Sequence, residues 1–237
     1  MQGTGPLPER RHVHGRQKGP RLRRRQSGLL ATLLPRLAVA LDRPPPPRLA
    51  DLFSRPVDDV HLEIGFGGGE HLAAAAAAAP NTGFVGCEPF INGVAKLLVA
   101  VEEHGFGNIV IHVGDAGEVL DWLPDAALGR VWLLYPDPWP KRRHWKRRFV
   151  NPNNADALAR VMRPGAELRF ATDWPDYADW TLRHLAAHRA FEWTAEQAAD
   201  WRCPWPGWPG TRYEAKALRE GRRPCYLTFR RRPTVGT

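Results

Sequence analysis

The sequence predicts an α/β protein with a doubly wound, mostly parallel sheet behind a basic amino-terminal arm. Three observations carry this. From residue 60 onward short apolar runs alternate with segments of helical spacing, a glycine-rich turn joins the first run to the first helix, and positive charge is concentrated ahead of both.

Taken in order, residues 60–64 read as the first strand and 70–79 as a helix stopped by Pro80. Residues 84–87 form the next strand, and 92–104 have helical spacing that ends at Gly105. Strands follow at 109–113 and 131–135, the latter almost wholly apolar and therefore central. A helix at 155–162 ends at Pro164-Gly165, 168–171 is a fifth strand, 177–188 a helix, and 226–230 a closing edge strand. The alanine run 73–79 follows from helix propensity and close packing.

Composition bounds the rest. With 237 residues, 43% hydrophobic content and ten tryptophans, the chain holds enough apolar surface for one large domain, which excludes a wholly disordered protein. The formal charge is +9, and residues 1–48 carry eleven Arg or Lys against Glu9 and Asp42. From residue 49 onward there are 23 basic and 23 acidic side chains, so the arm holds the entire excess and points to a polyanionic partner. The expected division is a flexible basic arm over 1–28, a helix and proline-rich linker over 29–48, and a single body over 49–237.

The apolar stretch 29–41 imitates a secretion signal, but Pro35 and Arg36 interrupt it and about 20 apolar residues are needed to span a bilayer. A short amphipathic helix packed on the body is the reading adopted. Cys87, Cys203 and Cys225 form no CxxC pair, which fits a reducing cytoplasm without a disulfide framework or a metal centre.

The chemistry gathers at the strand ends. Glycines 65, 67 and 69 follow Glu63 in a turn that admits a ligand against bare backbone. Glu88 lies nineteen residues past Gly69, where a carboxylate accepts both hydroxyls of a ribose. Asp115 follows the third strand, and Glu63, Glu88 and Asp115 are expected to form one acidic rim. An acid inside the glycine turn suits a cationic sulfonium better than a dinucleotide phosphate, which favours S-adenosylmethionine over NAD. After the central strand, Pro136 and Pro138 stiffen the loop that aims Asp137, and residues 141–148 place six basic side chains around His144 and Trp145, suited to phosphates and stacked bases. Asp173 is equally suited to capping the helix that begins near Trp174, and Glu214 to pairing with Arg219.

Together LEIGFGGGEHL, FVGCEPF, YPDPWPKRRHWKRR, ATDWPDYA and TRYE, in this order, resemble the bacterial tRNA (guanine-N7-)-methyltransferase family from about residue 15 to the end. The resemblance implies a Rossmann-like class I methyltransferase fold, with a seven-stranded sheet and an antiparallel edge strand. It implies transfer of a methyl group from S-adenosylmethionine to N7 of the variable-loop guanosine at position 46 of tRNA, without metal or membrane. By the same resemblance Glu63, Glu88, Asp115 and Asp137 line the cofactor site with Gly65, Gly67 and Gly69, and Asp137 is catalytic. Lys141, Asp173, Thr211, Arg212, Tyr213 and Glu214 contact the substrate. The pair Arg212-Tyr213 departs from the Lys-Phe of many members, which changes local contacts but not fold or activity. Oligomeric state, monomer or homodimer, is left open.

Rival readings fit less well. An amino-methyltransferase acting on adenine or cytosine carries Asp/Asn-Pro-Pro-aromatic, which Pro136-Asp137-Pro138-Trp139 does not match. An RNA-binding module with an empty nucleotide fold would not need a complete acid rim, and a nicotinamide oxidoreductase lacks its hydride-site His or Tyr-Lys pair.

Overall fold

The computed structural model describes Gly15 and residues 19–233. In chain order its elements are α1 (Arg24–Thr32), α2 (Leu34–Leu37), β1 (Asp59–Ile64), α3 (Glu70–Ala78), β2 (Thr82–Cys87), α4 (Ile91–His104), β3 (Ile109–His112), α5 (Ala116–Trp122) and β4 (Leu128–Leu134). There follow α6 (Pro152–Val161), β5 (Met162–Thr172), α7 (Pro175–Ala186), β6 (Phe191–Trp193), α8 (Ala199–Arg202), α9 (Arg212–Arg219) and β7 (Cys225–Arg231).

The seven strands form one sheet in the order β3-β2-β1-β4-β5-β7-β6. β1 to β5 are mutually parallel, whereas β7 runs antiparallel to β5. The antiparallel edge is the pair β7–β6 and not β7 alone, because the three residues of β6 are too few to show a period in sequence. Strand alternation divides the core: Val85, Val110 and Val131 face α5, α6 and α7, while Phe84, Ile109 and Ile111 face α3 and α4. Beyond β4 on the second face Leu134 packs with the aromatic residues Trp132, Trp205 and Tyr226 in a separate cluster.

Three boundaries differ from expectation. α6 stops at Val161, and β5 begins at Met162 and carries Pro164 and Gly165 (φ 84°) inside an irregular stretch, where the register jumps from Leu128↔Met162 to Arg130↔Glu167. The Pro-Gly signal thus marks a bulge and not the helix end. α5 was hidden because its seven residues offer barely two turns of pattern. The amino-terminal helix starts at Arg24, ahead of the expected residue 29, and is broken before Pro35, which sits in the first turn of α2. Residues 1–14 and 16–18, most of the arm expected to be flexible, lie outside the described residues.

α1 is tied to α4: Arg25 reaches Glu102 and Glu103, each at 2.7 Å. Just upstream, Asn92 accepts from the Gly19 amide and donates to the Pro20 carbonyl, both at 2.7 Å. Past α2 the chain runs along β3, where Ala38 pairs with Ile111 in parallel and the Val39 amide donates to the Ile111 carbonyl at 3.0 Å. Among the described residues no helix is long and apolar enough to cross a membrane.

Candidate active site

The strand order reverses between β1 and β4, and there, outside the carboxyl ends of the strands, a cavity of about 630 Å³ opens. Its floor is the turn between β1 and α3. Gly65, Gly67 and Gly69 all have positive φ (71°, 59° and 79°), so the turn requires glycine at each. Gly65 and Gly67 line the cavity, and a Cβ on Gly65 would meet no atom within 4 Å, so the wall there is bare backbone. Gly69 does not line it; its missing Cβ makes room for Leu97 of α4.

Glu88 and Asp115 form the near wall. Glu88 is buried, and its carboxylate accepts from the Gly67 amide at 2.6 Å and the Phe90 amide at 2.8 Å, so it shapes the glycine turn as well as facing the cavity. Burial pushes its carboxyl above the ordinary range, Asp137 adds to this, and the two amides and Arg212 oppose it. Asp115 caps α5 by accepting from the Gly117 amide at 2.6 Å and also lines the cavity.

Glu63 does not join this rim. Strand alternation puts Leu62 and Ile64 on the α5–α7 face and Glu63 on the other, where it is 2% exposed and pairs with Nδ1 of His71 at 2.7 Å. The His71 ring lies 4.5 Å from Trp132 and 5.1 Å from Trp208, so this pair belongs to the floor under the aromatic cluster.

Across the cavity stands the loop after β4. Tyr135 (φ 50°) and Trp139 (φ 44°) both adopt the left-handed region, at a cost of about 1–3 kcal/mol each, and they bracket Asp137. The Asp137 carboxylate faces the cavity, has no hydrogen-bond or ion-pair partner among the described residues, and is pushed up by desolvation. The basic run behind it splits. Lys141, Arg142, Arg143 and Lys146 are exposed, and of these Lys146 lines the cavity while Lys141 does not. Arg147 lies over the Trp139 ring at 4.9 Å. Arg148 is buried, so one of the six basic side chains read as suited to phosphates is turned into the protein.

The last two motifs also divide. Asp173 neither caps α7 nor lines the cavity: Arg222 binds it at 2.5 Å, and Thr172 Oγ1 takes the Trp174 amide instead. Thr211 and Glu214 form a reciprocal capping box at the start of α9. Glu214, 7% exposed, also accepts from Trp208 Nε1 at 2.6 Å and from the Tyr226 hydroxyl, so it holds the Trp-rich loop and does not pair with Arg219. This box delivers Arg212 and Tyr213 over the glycine turn, where a Cβ on Gly67 would stand 3.2 Å from each. Of the four, Tyr213 alone lines the cavity. Sequence reasoning passed over Phe90, Trp139 and Asn151, which also line it; Asn151 followed by Pro152 is a helix-start signal that would have placed it. Among the described residues no group of three or more His, Cys, Asp or Glu is placed to hold a metal.

A family model described as "Putative methyltransferase" matches residues 58–226. A tRNA (guanine-N(7)-)-methyltransferase of Nitrobacter hamburgensis is 56% identical over 217 residues, 92% of this chain and 85% of its own length. One of Brucella melitensis is 54% identical over 227 residues, 96% of this chain and 97% of its own. The chain belongs to the tRNA (guanine-N(7)-)-methyltransferase family. Solved structures similar to it include the 16S rRNA methyltransferase KamB, with a TM-score of 0.55, 21% identity, and coverage of 75% of this chain and 89% of that one. The [4+2]-cyclase SpnF is similar at a TM-score of 0.52 and 17% identity, over 78% of this chain and 80% of its own. Because a cyclase shares it, the fold by itself does not decide chemistry, and family membership rests on the sequence relatives.

Proposed function

We propose that this chain transfers the methyl group of S-adenosylmethionine to N7 of a guanosine in tRNA, and that its target is the variable-loop guanosine at position 46. One observation supports this most: bare glycine backbone, Glu88 and Asp115 on one side of a single cavity face Asp137 and Lys146 on the other. The near wall fits the donor, since Gly65 leaves open space, two carboxylates suit hydroxyl and amine donors, and no cationic side chain lies among the turn residues 65–69. The bound donor supplies an electrophilic methyl on a sulfonium.

Guanine N7 already has an in-plane lone pair and no hydrogen, so the chain needs no general base. Its residues orient: Glu88 holds ribose hydroxyls, Asp115 an adenine edge, and Asp137 the guanine, while Tyr213 closes the glycine side. Methyl transfer leaves positive charge on the purine, and a fixed carboxylate at Asp137 stabilises that charge more than it stabilises neutral guanine. Lys141, Arg142, Arg143 and Lys146, with the basic arm ahead of α1, grip the tRNA backbone in the cytoplasm. A calorimetric titration with the donor, followed by labelled-methyl transfer to bulk tRNA and nuclease mapping, tests the reading: heat, and 7-methylguanosine at position 46, are expected. No heat with the donor, or label at another base, overturns it.

Two further outcomes are expected. Because burial raises the Glu88 carboxyl, donor affinity falls with decreasing pH sooner than for an exposed glutamate, since protonation removes an acceptor; Glu88→Gln flattens that profile. Affinity for tRNA falls by nearly one logarithmic unit per phosphate contact for each tenfold rise in salt, and Lys146→Ala lowers the slope by about one without changing base preference. Titrations across pH and salt read both directly.

A further inference from the structure

The loop 135–140 poses a mechanical problem. Pro136, Pro138 and Pro140 have no amide hydrogen, so the loop cannot be held by backbone donors at three of its six positions, yet Tyr135 and Trp139 are kept in strained conformations on either side of Asp137. Its first residue is tied by the Tyr135 amide to the Ala171 carbonyl at 2.8 Å. The anchor in the middle comes from ten residues downstream. Arg148 Nε donates to the Pro138 carbonyl at 2.9 Å, one residue from Asp137.

Arg148 is an unusual member of a basic run. It is 2% exposed and forms no ion pair among the described residues. Its guanidinium is caged by three rings instead, Trp145 and Tyr177 at 4.9 Å and Trp180 at 5.1 Å. Its Nη1 reaches the Asp176 carbonyl at 3.4 Å, and Trp180 Nε1 in turn holds the Val150 carbonyl at 2.6 Å. A charge buried without an anion in contact is costly unless carbonyls and aromatic faces compensate it, and the Asp176 carboxylate adds attraction only at longer range. Apart from Trp145, those partners belong to α7 and to the loop, so the guanidinium rivets one to the other. Lysine cannot replace it, because an ammonium has neither the planar face that stacks in the cage nor the Nε donor beside it.

We infer that Arg148 is a positioning residue for Asp137, fixing the strained loop through the Pro138 carbonyl, and not a phosphate ligand like its exposed neighbours. The inference rests on the reading of Asp137 given above. The test is single-turnover methyl transfer by the full chain at saturating donor and tRNA. Arg148→Lys is expected to slow transfer about 10- to 100-fold, as misalignment does, with tRNA affinity and its salt slope unchanged. In the ligand-free chain the amides of Asp137 and Trp139 exchange hydrogen faster. In an Asp137→Asn background the same change has almost no further effect on rate.

A wild-type rate in Arg148→Lys overturns the inference. So does a salt slope lowered by about one with the rate intact, which would make Arg148 a phosphate contact, and so does a full multiplicative loss in the Asp137→Asn background. Should Arg148→Lys not fold, Trp180→Phe loosens the cage while keeping the guanidinium, and carries the same expectation and the same refutation. If the reading of Asp137 fails instead, Asp137→Asn itself transfers at the wild-type rate; if only this inference fails, Asp137→Asn is slow and Arg148→Lys is not.

Discussion

Asp137→Asn is expected to slow methyl transfer at saturating donor and tRNA by about 10²-fold or more while leaving donor affinity within a few fold. The substitution keeps the size and the acceptor oxygen of the side chain but removes the charge that complements the methylated purine. Donor affinity survives because the groups nearest the glycine turn, Glu88 and Asp115, are untouched. Single-turnover kinetics beside calorimetry separates the two quantities. A rate unchanged at saturation would falsify the charge-stabilising role. The same carboxyl is raised by desolvation, so the wild-type rate declines as pH falls through a value above the ordinary carboxylate range, and Asp137→Asn lacks that limb.

Gly93→Ala carries the second large effect, from a position that touches no ligand. A Cβ there would lie 2.0 Å from the carbonyl oxygen of Gly67 and 2.9 Å from its carbon, a collision of backbone with side chain that no rotamer relieves. Either α4 or the glycine turn must move, and the turn is also held by the Gly67 amide on Glu88. Stability is expected to fall by about 1–3 kcal/mol or more, and donor affinity by at least about tenfold. Urea unfolding and donor titration check both. Gly28→Ala is the matched contrast: a Cβ there meets nothing within 4 Å on α1, so the change raises stability by about 0.5–1 kcal/mol. Equal behaviour of the two variants would mean that the contact between α4 and the turn is not confining.

How much of this could be read from sequence varies with the physics involved. The strands from 60 to 134 and the helices α3 and α4 were legible because buried parallel strands are continuous apolar runs and the helices end at Pro80 and Gly105. β6 and α5 were not, because three and seven residues repeat their period too few times to stand out. Within the site, Glu88 and Asp115 meet at one cavity, as adjacency at strand ends implied, and Asp137 and Tyr213 join them there. Glu63, Asp173 and Glu214 sit instead in partnerships with His71, Arg222 and Trp208, formed where the chain folds back on itself. No spacing rule reveals such partners; only strand alternation would have turned Glu63 away from the cavity. Arg148 is the sharpest case, since composition groups it with solvated cations while its neighbours from α7 enclose it.

The segment from α1 to Val39 also changes how the molecule can be cut. By laying Ala38 and Val39 against Ile111 it occupies the open side of β3, which would otherwise present unpaired amides and carbonyls to other molecules. Trimming the protein back to the start of the 49–237 body would therefore not yield a smaller, tidier enzyme. It would expose a ready template for self-association, so recombinant forms meant to stay monodisperse should retain the chain from at least Arg24.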